Sequence, residues 1–230
     1  MPDVVLRELR DAIIDSRIAQ GDQLHEVELA SMFGTSRGVI REASRQLVQE
    51  GLVDHVPHRG AFVRTLTIDD AIDVYTARLV IESGAARLAL AESDGLDVST
   101  LAEAIARMRA VKGSRGRANE EMIAADIDFH RRLVALSRSA RLARTHETLM
   151  AETAMLLRHQ PVYPAADYVA DHTKLLVAFE RRDPQTPELV AEHLRLSVRL
   201  IVEELERESA ERTRQRDRRA PRKQPMGDRK

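Results

Sequence analysis

From Thr67 to Glu208 the apolar residues of this chain recur three and four positions apart, and no stretch shows the strict alternation of a half-buried strand. That single periodicity leaves little freedom: a segment of this length patterned in this way packs as a bundle of helices. Six helical stretches are predicted, at about 67–91, 97–112, 117–137, 140–159, 166–182 and 186–207. They are separated by breaks at Asp94-Gly95, Gly113-Ser114, Ser137 to Ser139, Pro161 to Pro164 and Asp183 to Pro187. After Ser209 the chain carries Arg, Lys, Pro221 and Pro225 but no large aliphatic residue, so residues 209–230 are expected to form a disordered basic tail.

The first 66 residues read differently. A helix is expected over residues 4–19, with Leu6, Leu9, Ile13 and Ile14 on its apolar side and Gly21 ending it. A short helix follows over Glu26 to Phe33, then a tight Gly34-Thr35-Ser36 turn whose hydroxyls can cap a third helix reaching about Glu50. Gly51 stops that helix. Leu52-Val53 and Ala61-Phe62-Val63 flank Pro57-His58-Arg59-Gly60 as a small hairpin. Helix, tight turn, helix, hairpin is the winged helix-turn-helix order. The expected architecture is therefore mainly α. A winged helix-turn-helix DNA-binding domain spans 1–66, an all-α six-helix bundle spans 67–208, and the tail spans 209–230.

In such a module the helix after the turn enters the major groove. Arg37, Arg41 and Arg45 stand four residues apart on one face of it, while Ile40, Ala43 and Leu47 hold the opposite face. Arginine can grip two acceptors on a guanine edge or hold a phosphate. Ser36, at the helix N-terminus with its free amides, suits a phosphate. His58, Arg59 and Gly60 form the wing tip, where glycine lets the backbone come close to a groove. Charge is segregated to match. Residues 1–33 hold three arginines against seven acids, a net of −4, whereas residues 34–66 hold five against three, a net of +2. The whole chain stands at −1, so only local clustering can attract a polyanion. The absence of cysteine excludes disulfides, thiolate metal sites and cysteine nucleophiles. With no apolar run near the roughly 18–20 residues of a membrane helix and no secretory pattern at Met1 to Val5, the expected location is the cytoplasm.

Within the helical segment, four polar residues interrupt apolar stripes. They are Asp126 and His130 (with Met122 and Leu133), His172 (with Tyr168, Leu175, Leu176 and Phe179) and His193 (with Leu189, Leu196 and Leu200). Burying them costs several kcal/mol unless each finds a partner. Asp126 and His130 lie one turn apart. His172 and His193 flank a helical hairpin around Asp183-Pro184, each about ten residues from its midpoint, so antiparallel packing brings them level. Any one of these imidazoles could be an ordinary hydrogen-bonded core residue; the four in register form a donor set for a divalent ion, zinc or nickel by donor chemistry. Arg78 also faces inward, on the stripe Val74, Arg78, Ile81, Ala85, with Tyr75 close by. It can anchor the carboxylate of a ligand or pair with Glu82 one turn later.

The segment from Leu9 to Val63 resembles the DNA-binding domain of the GntR family of bacterial transcription regulators. The resemblance rests on Gly21, Leu24, Glu26, Leu29-Ala30, Gly34, Ser36-Arg37, Arg41-Glu42-Ala43, Leu47, Glu50-Gly51-Leu52-Val53, Arg59-Gly60-Ala61 and Val63. It implies that Ser36, Arg37 and Arg41 contact operator DNA and that the Arg59-Gly60 turn reaches the minor groove. Gly38-Val39 stands where Thr-Pro is usual, which removes a side-chain donor, and Ser44 replaces a usual Leu. Asp126-x3-His130, the Asp171-His172 segment and Glu192-His193-Leu194 resemble the metal-binding C-terminal (FCD) domain of the family's FadR branch, and six helices fit its VanR-like group. This implies an effector domain that binds small organic acids beside a metal, and a homodimer. The loop before His193 is one residue shorter than usual, and Arg138-Ser139 replaces a usual Gly-Asn.

The expected function is a transcriptional regulator, in the repressor mode, whose operator affinity is controlled by a small carboxylate bound beside a divalent metal. Two alternatives stand beside it: a metal-responsive regulator with the ion itself as signal, and a metal-dependent hydrolase. The hydrolase reading finds no spare acid–base residue in the stripes and leaves the first domain unexplained.

Overall fold

The computed structural model describes residues 2–92, 95–111, 120–160 and 165–219. The predicted breaks at Gly113-Ser114 and Pro161 to Pro164, Asp94 of Asp94-Gly95, and the end of the tail from residue 220 lie outside the described residues.

The chain is mainly α. Its first part contains α1 (Pro2–Ile14), α2 (Glu26–Met32) and α3 (Arg37–Gln49), followed by strands β1 (Val53–Val56) and β2 (Gly60–Val63). Leu9, Ile40, Leu47 and Leu52, all at 0% exposure, form the centre of its core, with Val63 and Leu66 closing it beneath the hairpin. The strands pair antiparallel, Val53 with Val63 and Val56 with Gly60. One expectation is corrected here: α1 ends at Ile14, not near residue 19. Ser16 enters the left-handed region (φ 55°), and the Ile18 amide turns back onto the Ala12 carbonyl. Gly21 has another task. At φ 87° its amide donates to the Val63 carbonyl, and the next residues run beside β2.

Thr67 opens the second part with a capping box. Its hydroxyl accepts the Asp70 amide at 3.1 Å, and the Asp70 carboxylate accepts the Thr67 amide at 2.8 Å. The 24-residue α4 (Ile68–Ala91) is the spine. Around it stand α5 (Ser99–Ala110), α6 (Glu120–Ala135), α7 (Ala140–Leu157), α8 (Ala165–Glu180) and α9 (Thr186–Arg219). Phe129, Phe179, Met108 and Leu133 fill the centre of this bundle. Arg182, between α8 and α9, donates to the Leu90 and Glu92 carbonyls at the end of α4. This fixes the start of α9 at the far end of α4, so α9 runs back toward the first part of the chain.

Two expectations about α9 fail. Its buried face is Val190, Leu194, Ile201 and Leu205; Leu196 is 38% exposed and His193 only partly buried. The stripe read from the sequence is thus the flank of the helix, because the face turned to α4 lies one residue further round. Order also does not stop at Glu208, since α9 continues to Arg219. Arg, Glu and Ala are strong helix formers, and Arg212 pairs with Glu208 one turn back.

Candidate metal centre and nucleic-acid interface

Helix α3 begins as its sequence dictates. Ser36 is extended (φ −86°, ψ 153°), and its side chain accepts the Val39 amide at 3.4 Å. Ile40, Ala43 and Leu47 point into the core, so Arg37, Arg41 and Arg45 are all exposed on the other side. Arg41 is held by a two-pronged contact with Glu26 of α2, at 2.9 and 2.7 Å, and Arg45 lies 3.6 Å from Glu42. The wing tip turns at His58 (φ 62°) and Gly60 (φ 100°), with the Arg59 amide donating to the Val56 carbonyl. A Cβ on Gly60 would approach Gln23 Nε2 to 3.3 Å, while that same nitrogen donates to the Arg59 carbonyl. Arg59 lies over the Phe62 ring at 5.3 Å, which leaves its charge at the tip of the hairpin.

In the bundle, α6 contributes Asp126 and His130, α8 contributes His172 and α9 contributes His193. One donor atom from each lies within 4.8 Å of all the others. Asp126, His130 and His172 are buried. The rings of His172 and His193 meet edge to face at 4.7 Å, and those of His130 and His193 stack at 5.3 Å.

Hydrogen bonds from outside the cluster decide which nitrogens face it. His172 Nδ1 lies 2.8 Å from the Tyr168 carbonyl, which can only accept, so Nδ1 donates there and Nε2 is the nitrogen turned to the cluster. His130 Nδ1 lies 2.6 Å from the Glu82 carboxylate and is oriented by the same logic. The result is electrostatically incomplete. His172 Nε2 stands 3.0 Å from Asp126 Oδ1 without forming a hydrogen bond, and His130 Nε2 stands 3.8 Å from the same oxygen. Lone pairs converge on one buried point, and a divalent cation is the group that would satisfy them. Burial pushes the imidazoles of His130 and His193 below their ordinary pKa. Burial alone would raise the Asp126 carboxyl, but His130 and His172 beside it hold it below the usual carboxylate range. A carboxylate at Asp126 and neutral imidazoles at His130 and His193 are the forms in which these groups bind a metal.

Behind the cluster sits a network only partly anticipated. Arg78, 1% exposed, donates from Nε to Glu82 Oε1 at 2.8 Å, and its guanidinium lies over Tyr75 at 4.8 Å. Glu82, at 0% exposure, also accepts from His146 Nε2 of α7 at 3.0 Å. Burial would raise the Glu82 carboxyl, yet Arg78 and His130 hold it well below its usual range. Arg78 Nη2 and the Tyr75 hydroxyl are buried without a hydrogen-bond partner. The pairing of Arg78 with Glu82 thus forms and still leaves one arm of the fork unused. Neither His146 nor the link from Glu82 to His130 was read from the sequence. The signal was present, because His146 interrupts the buried stripe Met150, Thr153, Leu157 just as His130 interrupts its own.

The opening to the cluster is lined by Gln160, Tyr168, His172, His193, Ser197 and Leu200, and its cavity measures only about 20 Å³. That is room for about one water molecule. A far larger cleft of about 890 Å³ lies elsewhere, between α1 and the α6–α7 face. Its rim is built from paired charges, Arg10 with Glu50 and Arg131 with Glu147.

Comparison with known proteins matches two segments of the chain. Residues 3–63 match the model of bacterial regulatory proteins of the gntR family, and residues 73–196 match the FCD domain. The chain is 29% identical over 194 residues to the probable D-xylose utilization operon transcriptional repressor of Paenarthrobacter nicotinovorans, covering 82% of this chain and 84% of that one. It is 32% identical over 126 residues to the Nta operon transcriptional regulator of Aminobacter aminovorans, a match that covers 54% of this chain and 58% of that regulator. A crystal structure of a GntR regulator from Rhodococcus sp. RHA1 superposes with a TM-score of 0.75 at 25% identity, covering 87% of this chain and 97% of that one.

Proposed function

From the premise that this chain belongs to the gntR family of bacterial regulatory proteins, with an FCD domain, and is a DNA-binding transcriptional regulator rather than an enzyme, we propose that a small organic acid and a divalent metal in the bundle together set its affinity for operator DNA. GntR regulators bind operators and FCD domains bind small-molecule effectors; which effector and which ion act here is the reading that follows.

The observation that carries it is the buried meeting of Asp126 Oδ1 with the Nε2 atoms of His130 and His172, 3.8 and 3.0 Å away. Asp126, His130, His172 and His193 would hold the ion, with zinc or nickel favoured by three imidazoles and one carboxylate. The ion supplies a Lewis-acidic centre for a ligand oxygen. The unused Nη2 of Arg78 and the Tyr75 hydroxyl are suited to a carboxylate; neither lines the small cavity at the cluster, so a ligand reaches them only when the bundle opens. Residues 1–66 act as the DNA-binding unit and 67–208 as the effector unit. Two copies form a homodimer that sets its α3 helices in successive major grooves, about 34 Å apart. The repressor mode is supported by the name of the Paenarthrobacter relative. The site of action is the cytoplasm, where the operator is; no described helix is long and apolar enough to cross a membrane.

A thermal-shift series of small carboxylates with and without Zn²⁺ or Ni²⁺ tests this reading. The melting temperature should rise cooperatively when acid and ion are both present. Equal stabilisation by acids in protein stripped of metal and in Asp126→Ala protein would defeat it. At the other end of the molecule, Arg37→Ala should cost about 1–3 kcal/mol of operator affinity, roughly 10- to 100-fold. If Arg37 holds a phosphate, the slope of log affinity against log salt also falls by about one. Fluorescence anisotropy on duplexes from the DNA flanking the gene reads both quantities.

A further inference from the structure

Helix α7 packs mainly against α6 and α4, touches the buried polar network at His146, and reaches the DNA-binding part at Glu152 and Arg158. His146 donates to Glu82, whose other oxygen takes His130. Six residues further along, Glu152 Oε1 accepts Arg64 Nη1 at 2.7 Å, and the same arginine binds Asp70 of the α4 cap. The Glu152 side chain also fills the space beside Gly51, the residue that ends α3. A Cβ built on Gly51 would stand 2.8 Å from Glu152 Cδ, and Gly51 holds φ 73°. One turn and a half later Arg158 donates to the Ile14 carbonyl and to Asp15, at the end of α1. Beside these contacts lies the 890 Å³ cleft, and Glu152 and Arg158 bridge the two parts next to it.

We propose that Glu152 is a positioning residue for DNA binding: clamped to Arg64 and seated against Gly51, it fixes the end of the recognition helix to α7, and the chain His130–Glu82–His146 makes that placement respond to the ion. The proposal rests on the reading that the four-residue cluster holds a metal. An ion drawing on His130 Nε2 fixes the ring that Glu82 grips, Glu82 fixes His146, and α7 carries the constraint about 9 Å along its axis to Glu152. Coupling between two sites needs such a physically shared element that both can bias.

Hydrogen exchange on the full chain, stripped with EDTA and then given ZnCl₂ or NiCl₂ alone, tests it in wild type, Glu152→Ala and Glu147→Ala. Glu147 lies on the same helix but pairs, on the exposed rim of the cleft, with Arg131 of α6 and not with a residue of the first part. In wild type and Glu147→Ala the ion should slow exchange of amides 51–66 by about tenfold, besides slowing it near residues 126–134 and 168–176. In Glu152→Ala the slowing at 51–66 should vanish while the response around the cluster and the metal affinity persist. A wild-type response confined to the cluster overturns the coupling and leaves the metal reading intact, as does full slowing at 51–66 in Glu152→Ala. If no segment responds and elemental analysis finds no retained ion, the metal reading itself fails and takes the coupling with it.

Discussion

Replacing Glu82 with alanine should destabilise the fold by about 3–5 kcal/mol, because it leaves a buried guanidinium without its counter-charge. Arg78 and Glu82 are 1% and 0% exposed, so water cannot take the place of the lost carboxylate. Arginine cannot shed its proton to escape the penalty. Two imidazoles, on His130 and His146, lose their acceptor in the same step. For a chain of this size the loss corresponds to a fall of about 10 °C in melting temperature. The pair Arg78→Met with Glu82→Gln should cost much less, since no unpaired charge remains, the amide oxygen still accepts from one imidazole, and the other can take the amide NH2 by changing tautomer. Urea unfolding of both proteins separates the outcomes. A Glu82→Ala loss under about 1 kcal/mol would mean that the network is not what holds α4 to α6 and α7.

The second large effect concerns the ion. With Zn²⁺ or Ni²⁺ free at a thousand times its dissociation constant, binding to the folded state alone adds about 4 kcal/mol of stability. Wild-type protein should then melt roughly 8–16 °C higher than the stripped form. Removing two of the four donors in His172→Ala, His193→Ala protein should abolish that rise. Both side chains face the small opening of the cluster and neither touches the Arg78–Glu82 pair, so the stripped double variant should keep most of the parent's stability. Calorimetric scans with and without ion check this. An undiminished rise in the double variant would place the metal elsewhere.

The sequence displayed some of this plainly. Ser36 caps α3 and the three arginines take the exposed face because one apolar stripe leaves no other arrangement. Asp126, His130 and His172 could be read because each interrupts a stripe whose remaining members are buried, and helix periodicity carries that information within a single segment. What could not be read depends on pairing between segments. Glu82 reaches His130 and His146 across separations of 48 and 64 residues, and nothing local to α4 says which helices will lie against it. The buried face of α9 escaped for the same reason. His193, Leu196 and Leu200 form a good stripe in isolation, and only packing along α4 selects the neighbouring one. The end of α1, expected at Gly21 from the apolar period, is set by a left-handed serine, and the tail expected from composition is helical as far as Arg219 because charged helix formers carry α9 on.

The spread of the four donors over α6, α8 and α9 has a practical corollary for anyone purifying this protein. An ion held by side chains from three helices leaves only when several bonds break together, so a cation bound in the cell is expected to survive a chromatography run. Whichever ion a preparation carries would then record the broth in which the cells grew, and ranking zinc against nickel demands reloading from a fully chelated state rather than an assay of the protein as isolated.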